Sequence, residues 1–223
     1  MDPAAQLTNA VTERVIIPVR GSIDTWREPL KFLLQTLQKQ PGYLRTRWGP
    51  WREDPQKLEL LTGWTTVEAS ETWKRSPDHA DAMTRLAPVM PGHPTSTLLQ
   101  FRPFIPQAVV NSPLVETVTF DDCREPEERM REVVERARTM RGCNGVASGF
   151  SLSRTGGVGS SSSATHERNP AGGDGGGRTF IAAVGWAGIE ASRAADKASY
   201  TGGMKTESHH VDYAFPVEGF GEL

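Results

Sequence analysis

Apolar residues recur along the first half of the chain with two different periods, which predict strands and helices in turn. Residues 15–19 form an apolar, β-branched run that is typical of a strand. An apolar stripe at helical spacing then predicts an amphipathic helix that ends before Pro41, and its members are Trp26, Leu30, Leu33, Leu34 and Leu37. Residues 43–48 and 58–64 predict two further strands.

The first half continues with helical signals and closes with a fourth strand. A short helix is expected from Glu68, and Ser76 and Pro77 then supply the N-cap and the first position of another helix. Residues 97–101 predict the closing strand. The resulting order is strand, helix, strand, strand, helix, strand.

The second half of the chain repeats landmarks of the first. The segment GWTTVEAS at residues 63–70 returns as GWAGIEAS at residues 185–192, and each copy follows an apolar run. Residues 15–19 are matched with residues 114–118, and residues 211–215 are expected to form the last strand of the second copy. We therefore expect two copies of one structural unit.

An insertion separates the landmarks of the second copy. The offset between matched glycines is 103 residues at Gly42 and Gly145 but 122 residues at Gly63 and Gly185, so the second copy carries about 19 additional residues. Residues 156–177 contain eight glycines and four serines. Such a composition cannot bury enough apolar surface to fold, which predicts a disordered hairpin insertion.

The order βαββαβ in each half predicts an α+β fold of two tandem ferredoxin-like repeats. A single four-stranded sheet leaves one face bare, and two copies can cover each other in an intramolecular dimeric-type α/β barrel. The expected organisation is a flexible terminus at residues 1–11, repeats at 12–104 and 113–217, a linker at 105–112 and a tail at 218–223.

Charge and cysteine content exclude several functional classes. Lys and Arg number 25 against 27 Asp and Glu, so the chain offers no basic field for nucleic acid or an anionic membrane. Neither a long apolar run nor a secretory signal is present, and two cysteines are too few for a disulfide scaffold or a zinc cluster. We expect a cytoplasmic protein without nucleic-acid, membrane or metal partners.

The segment from strand three into the following helices carries a family resemblance. The strand ends in Gly63 and Trp64, and the triplet Val-Glu-Ala follows at residues 67–69. Ser76 then opens a helix that contains His79. This pattern resembles the antibiotic biosynthesis monooxygenase (ABM) group of dimeric α/β barrel proteins, in a tandem, fungal-type form. The resemblance implies a secondary-metabolism enzyme that binds a small hydrophobic aromatic between sheet and helices. It also implies O2 as co-substrate and no cofactor.

His79 is the candidate catalytic residue. His79, Met83 and Leu86 lie on one face of the predicted helix, and in the resembled fold that face lines the ligand gap. An imidazole there can accept a proton from a phenol or an acidic C–H group. The alternative is a core histidine bonded to the backbone.

Aromatic residues are concentrated in the first half and suggest a pocket there. The candidate substrate-binding side chains are Trp26, Trp48, Trp64, Trp73 and Met83. Because Trp64 recurs as Trp186, the alternative is that both lock a strand against the following helix. Trp51 lies in a polar turn and is predicted at the surface.

Arg45 is a further substrate-binding candidate. Arg45 and Arg47 share one face of a predicted strand, and Glu59 lies on the next strand, so the group could hold an enolate or a carboxylate. The alternative is a cross-strand ion pair at the seam between the two sheets. Near the end of the chain, His210 and Asp212 share a face and could orient a general base, or they belong to a solvated strand start.

The chain departs from the family's pattern at three positions. Leu60 and Ser70 stand where its cofactor-free oxygenases carry an asparagine and a tyrosine, and Met83 stands where haem-degrading relatives place a ligating histidine. We therefore expect no haem. Three functions remain open: oxidation of a polyketide-like phenol or anthrone, cyclisation or isomerisation of a polyketide without O2, and non-catalytic ligand binding by a stress-responsive barrel. We expect a monomer with an internal pseudo-dimer, and a homodimer remains an alternative.

Overall fold

The computed structural model of the protein describes residues 7–102, 104–152 and 178–213. The first half comprises β1 (Val11–Pro18), α1 (Ile23–Leu37), β2 (Tyr43–Pro50), β3 (Lys57–Trp64), α2 (Val67–Lys74), α3 (Pro77–Leu86) and β4 (Thr95–Phe101). A short helix, α4 (Gln107–Val110), joins the halves. The second half comprises β5 (Leu114–Cys123), α5 (Glu127–Glu135), β6 (Cys143–Ser151), β7 (Arg178–Trp186), α6 (Ile189–Ala194), α7 (Lys197–Thr201) and β8 (Glu207–Val211).

Helix α1 forms because its apolar stripe has a sheet to pack against. The buried side chains of this helix are the stripe predicted from the sequence, namely Trp26, Leu30, Leu33, Leu34 and Leu37. Burial of each large apolar side chain contributes roughly 1.5–3 kcal/mol. The chain then turns at Gly42, whose φ of +78° suits glycine.

The strands form one eight-stranded antiparallel sheet in the order β2-β3-β1-β4-β6-β7-β5-β8. The two halves meet directly where β4 pairs with β6. The outer ends of the sheet meet again, because Trp51 bridges Val211 and the Arg52 N–H donates to the His210 carbonyl at 2.8 Å. The sheet thereby closes into a barrel, and the predicted α+β fold of two ferredoxin-like repeats is confirmed.

A glycine lies at each seam between the halves. At Gly49 on β2, an added Cβ would lie 2.3 Å from the Asp212 carbonyl oxygen beyond β8. At Gly149 on β6, an added Cβ would lie 2.0 Å from the Gln100 carbonyl oxygen on β4. Real Cβ atoms essentially never approach another atom closer than 3.0 Å, so each seam requires a residue without a side chain.

Helices cover the outside of the barrel, and a separate apolar core fills its interior. Interior side chains come from both halves and include Leu61, Leu99, Ala147 and Ile181. The segment predicted as a linker at residues 105–112 contains α4, and it contributes to this core through the buried side chains Ile105, Val109 and Val110. The connection between the repeats is therefore part of the folded barrel.

Strand register corrects the predicted correspondence between the halves. Strand β5 begins opposite Trp186 as β1 begins opposite Trp64. Residues 114–118 therefore correspond to residues 11–15, and the predicted match with residues 15–19 was displaced by four positions.

A second correspondence was also displaced. Gly42 and Gly142 immediately precede β2 and β6 and have φ values of +78° and +83°, so the counterpart of Gly42 is Gly142 and not Gly145. The offset there is 100 residues, against 122 at the Gly-Trp pair, so the second copy is 22 residues longer between these points. The predicted insertion at residues 156–177 lies outside the described residues.

The first and last strands differ from their predicted bounds. Strand β1 is Val11–Pro18, so it begins four residues before the strand predicted at residues 15–19 and one residue before the expected start of the first repeat. The last strand, expected at residues 211–215, is Glu207–Val211. Its polar residues concealed it, because His209 and His210 are buried by tertiary contacts that the local pattern does not encode.

Candidate functional site

A cavity of about 610 Å³ lies between the outer face of the first-half sheet and helices α1, α2 and α3. Its volume falls within the range of about 300–1,000 Å³ that is common for small-molecule sites. Apolar side chains from the sheet and the helices form most of the wall, among them Val15, Ile17, Leu33, Leu37, Leu60 and Met83. Such a lining suits an apolar, aromatic ligand.

Helix α3 brings His79 to this cavity. Ser76 caps the helix, since its Oγ accepts a hydrogen bond from the His79 N–H at 3.1 Å, and Pro77 takes the first helical position. His79 and Met83, one turn apart, both line the cavity, while Leu86 on the same stripe is fully buried. The sequence-predicted orientation of this helix is therefore observed.

The surroundings of His79 favour its neutral form. Its ring meets Trp73 edge-on, with the ring centroids 5.1 Å apart and the planes at 88°. Burial lowers the pKa of His79 below its ordinary value of 6.5, the Lys74 ammonium lowers it further, and Glu13 opposes both. A neutral imidazole is the form that accepts a proton.

Glu13, a buried carboxylate that sequence reasoning missed, lines the same cavity. Its Oε1 accepts hydrogen bonds from Ser96 Oγ at 2.7 Å and from Lys74 Nζ at 3.1 Å. Its Oε2 accepts from Trp64 Nε1 and from Ser70 Oγ, each at 3.3 Å. The cavity thus contains a neutral base and a carboxylate that is held by four donors.

A sequence signal for Glu13 existed but was not used. The predicted strand began at residue 15, which left the charged residues before it outside the sheet. The pattern apolar–X–Glu–X–Val nevertheless occurs at residues 11–15 and again at residues 114–118. With the two strands matched correctly, Glu13 falls on Glu116.

Trp64, predicted to bind substrate, is not part of the cavity lining. It is fully buried, Tyr43 packs edge-on against it at 6.2 Å, and its indole N–H donates to Glu13. Trp186 likewise donates to Glu116 at 3.0 Å. Each indole shares its carboxylate with a serine of the following helix, Ser70 or Ser192, which agrees with the alternative that the repeated tryptophans lock a strand against that helix.

The other tryptophans have different positions. Trp26 and Trp48 pack edge-on against each other at 6.3 Å in the helix-facing core and do not line the cavity, whereas Trp73 does. Trp51, predicted at the surface, is 5% exposed inside the barrel, and its indole N–H donates to Glu59 at 2.9 Å. The expected pocket with four tryptophans is therefore not formed.

Arg45, also predicted to bind substrate, lies on the face of the sheet opposite the cavity. Its guanidinium donates to the Ile105 carbonyl and lies 4.8 Å from the centroid of the Phe104 ring. Arg47 donates to Asn111 Oδ1 at 3.1 Å. Both arginines therefore bind the segment that closes one end of the barrel, and the structure does not bring them to the cavity.

The predicted grouping of Glu59 with these two arginines was wrong. Arg14 donates to Glu59 Oε2 at 2.7 Å, and Trp51 donates to the same oxygen. Thr117 and Tyr213 from the second half donate to Oε1 at 3.0 Å and 2.9 Å. Burial raises the pKa of Glu59, but Arg14 and the hydrogen bonds outweigh this effect and hold the pKa below its ordinary value.

His210 connects the two halves of the molecule. Its Nδ1 lies 2.5 Å from Oε1 of Glu53 in the first half, and its Nε2 lies 2.8 Å from Ser192 Oγ. Burial raises the pKa of Glu53, and the hydrogen bonds from His210 outweigh this effect and lower the pKa. The carboxylate that orients this histidine therefore comes from the other repeat.

Two further properties bear on the class of site. Within residues 7–102, 104–152 and 178–213, no group of three His, Cys, Asp or Glu side chains is placed to hold a metal ion. No helix in this part of the chain is long and apolar enough to cross a membrane.

The closed barrel covered by helices defines the class of fold, and solved structures share that fold over more than nine-tenths of their length. An anthrone oxidase-like protein superposes with a TM-score of 0.64 at 8% identity, covering 92% of each chain. A predicted monooxygenase from Fusobacterium nucleatum subsp. nucleatum superposes with a TM-score of 0.57 at 14% identity, also covering 92% of each chain. For a predicted monooxygenase from Lactobacillus acidophilus the TM-score is 0.54 at 11% identity, over 91% of this chain and 93% of the other.

One protein-family comparison matches the sequence of the first repeat. Residues 16–85 match the family described as antibiotic biosynthesis monooxygenase, and this segment contains His79, Trp73 and Lys74. The match lies within the first repeat, where the resemblance was predicted. A comparison with curated protein sequences gave no significant match.

Proposed function

We propose that the protein is a cofactor-independent monooxygenase that oxidises a polyketide-like aromatic, a phenol or an anthrone, in the first-half cavity. The observation that carries this proposal is the neutral His79 beside Trp73 in a largely apolar cavity of about 610 Å³. Such a cavity accommodates a flat aromatic, and a neutral imidazole can take an acidic proton from it. The family match at residues 16–85 supports the same class of chemistry.

With an anthrone as substrate, His79 removes one proton from the CH2 group between the aromatic rings and leaves a stabilised carbanion. The carbanion gives one electron to O2, and the radical pair combines into a peroxide anion at that carbon. The imidazolium returns its proton to the peroxide, and loss of water from the hydroperoxide gives the quinone carbonyl. One oxygen atom enters the product and the other leaves as water, so the substrate itself is the reductant.

Oxygen uptake tests this proposal, with an anthrone and a hydroquinone as probes and a metal chelator present. Wild-type protein should consume one O2 for each quinone formed from the anthrone. His79→Ala should lower the rate about 10²–10⁴-fold, the usual contribution of a positioned base. Asp81→Asn is the control because Asp81 lies on the same helix as His79 but is half exposed, pairs with Arg85 and does not line the cavity, and it should retain wild-type uptake.

The same assay separates the alternatives. An undiminished rate in His79→Ala would remove His79 from the mechanism. Product that forms equally fast without O2 would indicate a polyketide cyclase or isomerase. A ligand that is bound and recovered unaltered would indicate a stress-responsive binding barrel.

The proposal extends to a monomer in the cytoplasm. One chain supplies both halves of the barrel, so closure of the barrel needs no second subunit. Cys123 and Cys143 are free thiols, which fits a reducing compartment. A homodimer is the alternative, and gel filtration distinguishes the two.

A further inference from the structure

Both repeats hold a glutamate at the same position of the sheet. Glu13 on β1 lies opposite Thr62 of β3, and Glu116 on β5 lies opposite Val184 of β7. Both carboxylates are buried and point to the helix-covered outside of the barrel. They are therefore counterparts, and a difference between their surroundings is a difference between the two repeats.

Three donors are common to both carboxylates. Around Glu116 they are Trp186 Nε1 at 3.0 Å, Ser192 Oγ at 3.2 Å and Lys197 Nζ at 2.5 Å. An indole, a serine and a lysine also surround Glu13 in the first repeat. In each repeat the indole and the serine share Oε2, and the lysine contacts Oε1.

The second repeat adds a donor of its own. The Tyr200 hydroxyl donates to Glu116 Oε2 at 3.0 Å, and its ring packs beside Trp186 with the centroids 6.1 Å apart. Tyr200 is 1% exposed, so a phenol ring fills the space beside the carboxylate. Burial raises the pKa of Tyr200 and Glu116 raises it further, so this phenol stays protonated.

The first repeat adds a different donor, since Ser96 Oγ donates to Glu13 Oε1 at 2.7 Å, and it has a cavity beside its carboxylate. Oε2 of Glu13 accepts from Trp64 and Ser70, and within the described part of the chain no phenol donates to it. Glu13, Lys74 and Ser96 are all part of the cavity wall. The space adjoining the carboxylate is thus filled by a side chain in one repeat and accessible to a ligand in the other.

We propose that the first-half cavity binds a neutral phenol whose hydroxyl donates a hydrogen bond to Glu13, as the Tyr200 hydroxyl donates to Glu116. In this proposal, the Tyr200 ring occupies the position in the second repeat that the ligand's phenol ring occupies in the first. Within the proposed function, on which this assignment of substrate class rests, Glu13 orients the phenolic ring while His79 acts on the acidic C–H group. Glu13 is a binding residue in this scheme, and the proton transfer belongs to His79.

A pair of ligands that differ only in the hydroxyl tests the inference. Binding of 2-naphthol and of its methyl ether, 2-methoxynaphthalene, is measured by calorimetry under nitrogen, so that no turnover occurs. Because a hydrogen bond to a carboxylate is stronger than one between neutral groups, wild-type protein should bind 2-naphthol about tenfold more tightly or better. Equal affinity for the two compounds, or binding of neither, would overturn the inference.

Paired variants locate the effect. Glu13→Gln removes the charge and should reduce the preference for 2-naphthol to roughly threefold or less. Glu116→Gln is the matched control, since it changes the same kind of buried cluster in the repeat that Tyr200 fills, and it should keep the wild-type preference. A preference that survives in Glu13→Gln, or disappears equally in Glu116→Gln, contradicts the assignment.

Separate measurements distinguish effects of the variants on folding and turnover from effects on binding. Circular dichroism checks each variant, and Glu13→Asp, which withdraws the carboxylate by one methylene, replaces Glu13→Gln if that variant does not fold. Glu13→Asp should also weaken the preference for 2-naphthol, and an unchanged preference would contradict the inference. A retained preference without any oxygen uptake would refute the oxygenase and leave the phenol site standing, whereas uptake without a preference would do the reverse.

Discussion

His79 depends on its immediate neighbours for its protonation state. Its half-buried ring lies near one anion and one cation, Glu13 and Lys74, and His93 lines the same cavity. Burial is the largest of these influences, and it disfavours the imidazolium. The residue is therefore suited to take a proton near neutral pH without a change in its surroundings.

The pH dependence of oxygen uptake follows from this shift. A base acts only when it is unprotonated, and a lowered pKa postpones protonation to more acidic solution. We expect kcat/KM to fall on acidification with a midpoint below pH 6.5, the ordinary pKa of histidine. A fall that is half complete at or above pH 6.5 would contradict this, as would an acid limb that persists in His79→Ala.

The sequence predicted the position of His79 on the cavity wall but not that of Glu13, and the reason is physical. The helix that carries His79 has a capping serine, a proline and an apolar stripe, all of which are local signals. Glu13 is explained by partners 51 to 83 residues away, such as Trp64 and Ser96. Trp51 was misplaced for the same reason, since its ring stacks on His209 with the centroids 3.4 Å apart and its backbone bridges Val211, both in the second half.

At the scale of the elements, the backbones of the two repeats approach each other closely at Gly49 and Gly149. Gly49 and Gly149 are equivalent positions, each on the strand of one repeat that meets the last strand of the other. A methyl group at either position would collide with a backbone carbonyl of the neighbouring segment. The seams are thus specified by two residues whose importance is not visible in hydrophobic patterning.

Gly149→Ala should therefore destabilise the protein. The added Cβ would meet the Gln100 carbonyl, which cannot move aside as a flexible side chain can, and the expected cost is at the upper end of the roughly 1–3 kcal/mol for overpacking. Gly92→Ala is the control, since the nearest atom to its added Cβ is 3.9 Å away, and its effect should stay within about 0.5 kcal/mol. Urea denaturation measures both, and equal midpoints would refute the role of the seam.

Most elements of the first half could be predicted, but the correspondence between halves could not. Helix α1 has a continuous apolar stripe and strand β3 is largely apolar, and their predicted and observed bounds nearly coincide. Strand β8 is polar, and only pairing with β5 and contacts with the first half bury it. Single glycines were also poor landmarks, because Gly142 and Gly145 are three residues apart and only the φ value and position of Gly142, just before β6, identify it as the counterpart of Gly42.

At the scale of the whole molecule, a buried charge cluster connects the two repeats. Glu59 and Arg14 from the first half pair at 2.7 Å inside the barrel, and Thr117 and Tyr213 from the second half donate to the same carboxylate. Glu59 is fully buried, and Arg14 is 7% exposed. Separation of the halves would leave this carboxylate without half of its described donors.

Removal of one member of this pair should be costly. Glu59→Leu leaves the Arg14 charge buried and uncompensated, for which about 3–5 kcal/mol is expected, whereas the double variant Arg14→Met/Glu59→Leu should recover most of the loss. Asp81→Asn serves as the surface control, because its pair with Arg85 is about half exposed and contributes about 0.5 kcal/mol or less. Chemical denaturation would contradict the prediction if Glu59→Leu were no more destabilising than Asp81→Asn.

The filled space around Tyr200 has a consequence for how such a protein can change over generations. In an assembly of two identical subunits one gene encodes both halves, so a tyrosine that fills one cavity fills the other as well. Here different segments of one chain form the two halves, so their sequences can differ. Tyr200 occupies its space without affecting the cavity beside Glu13. Mutations can therefore alter the ligand site in one half while the other half keeps the barrel intact.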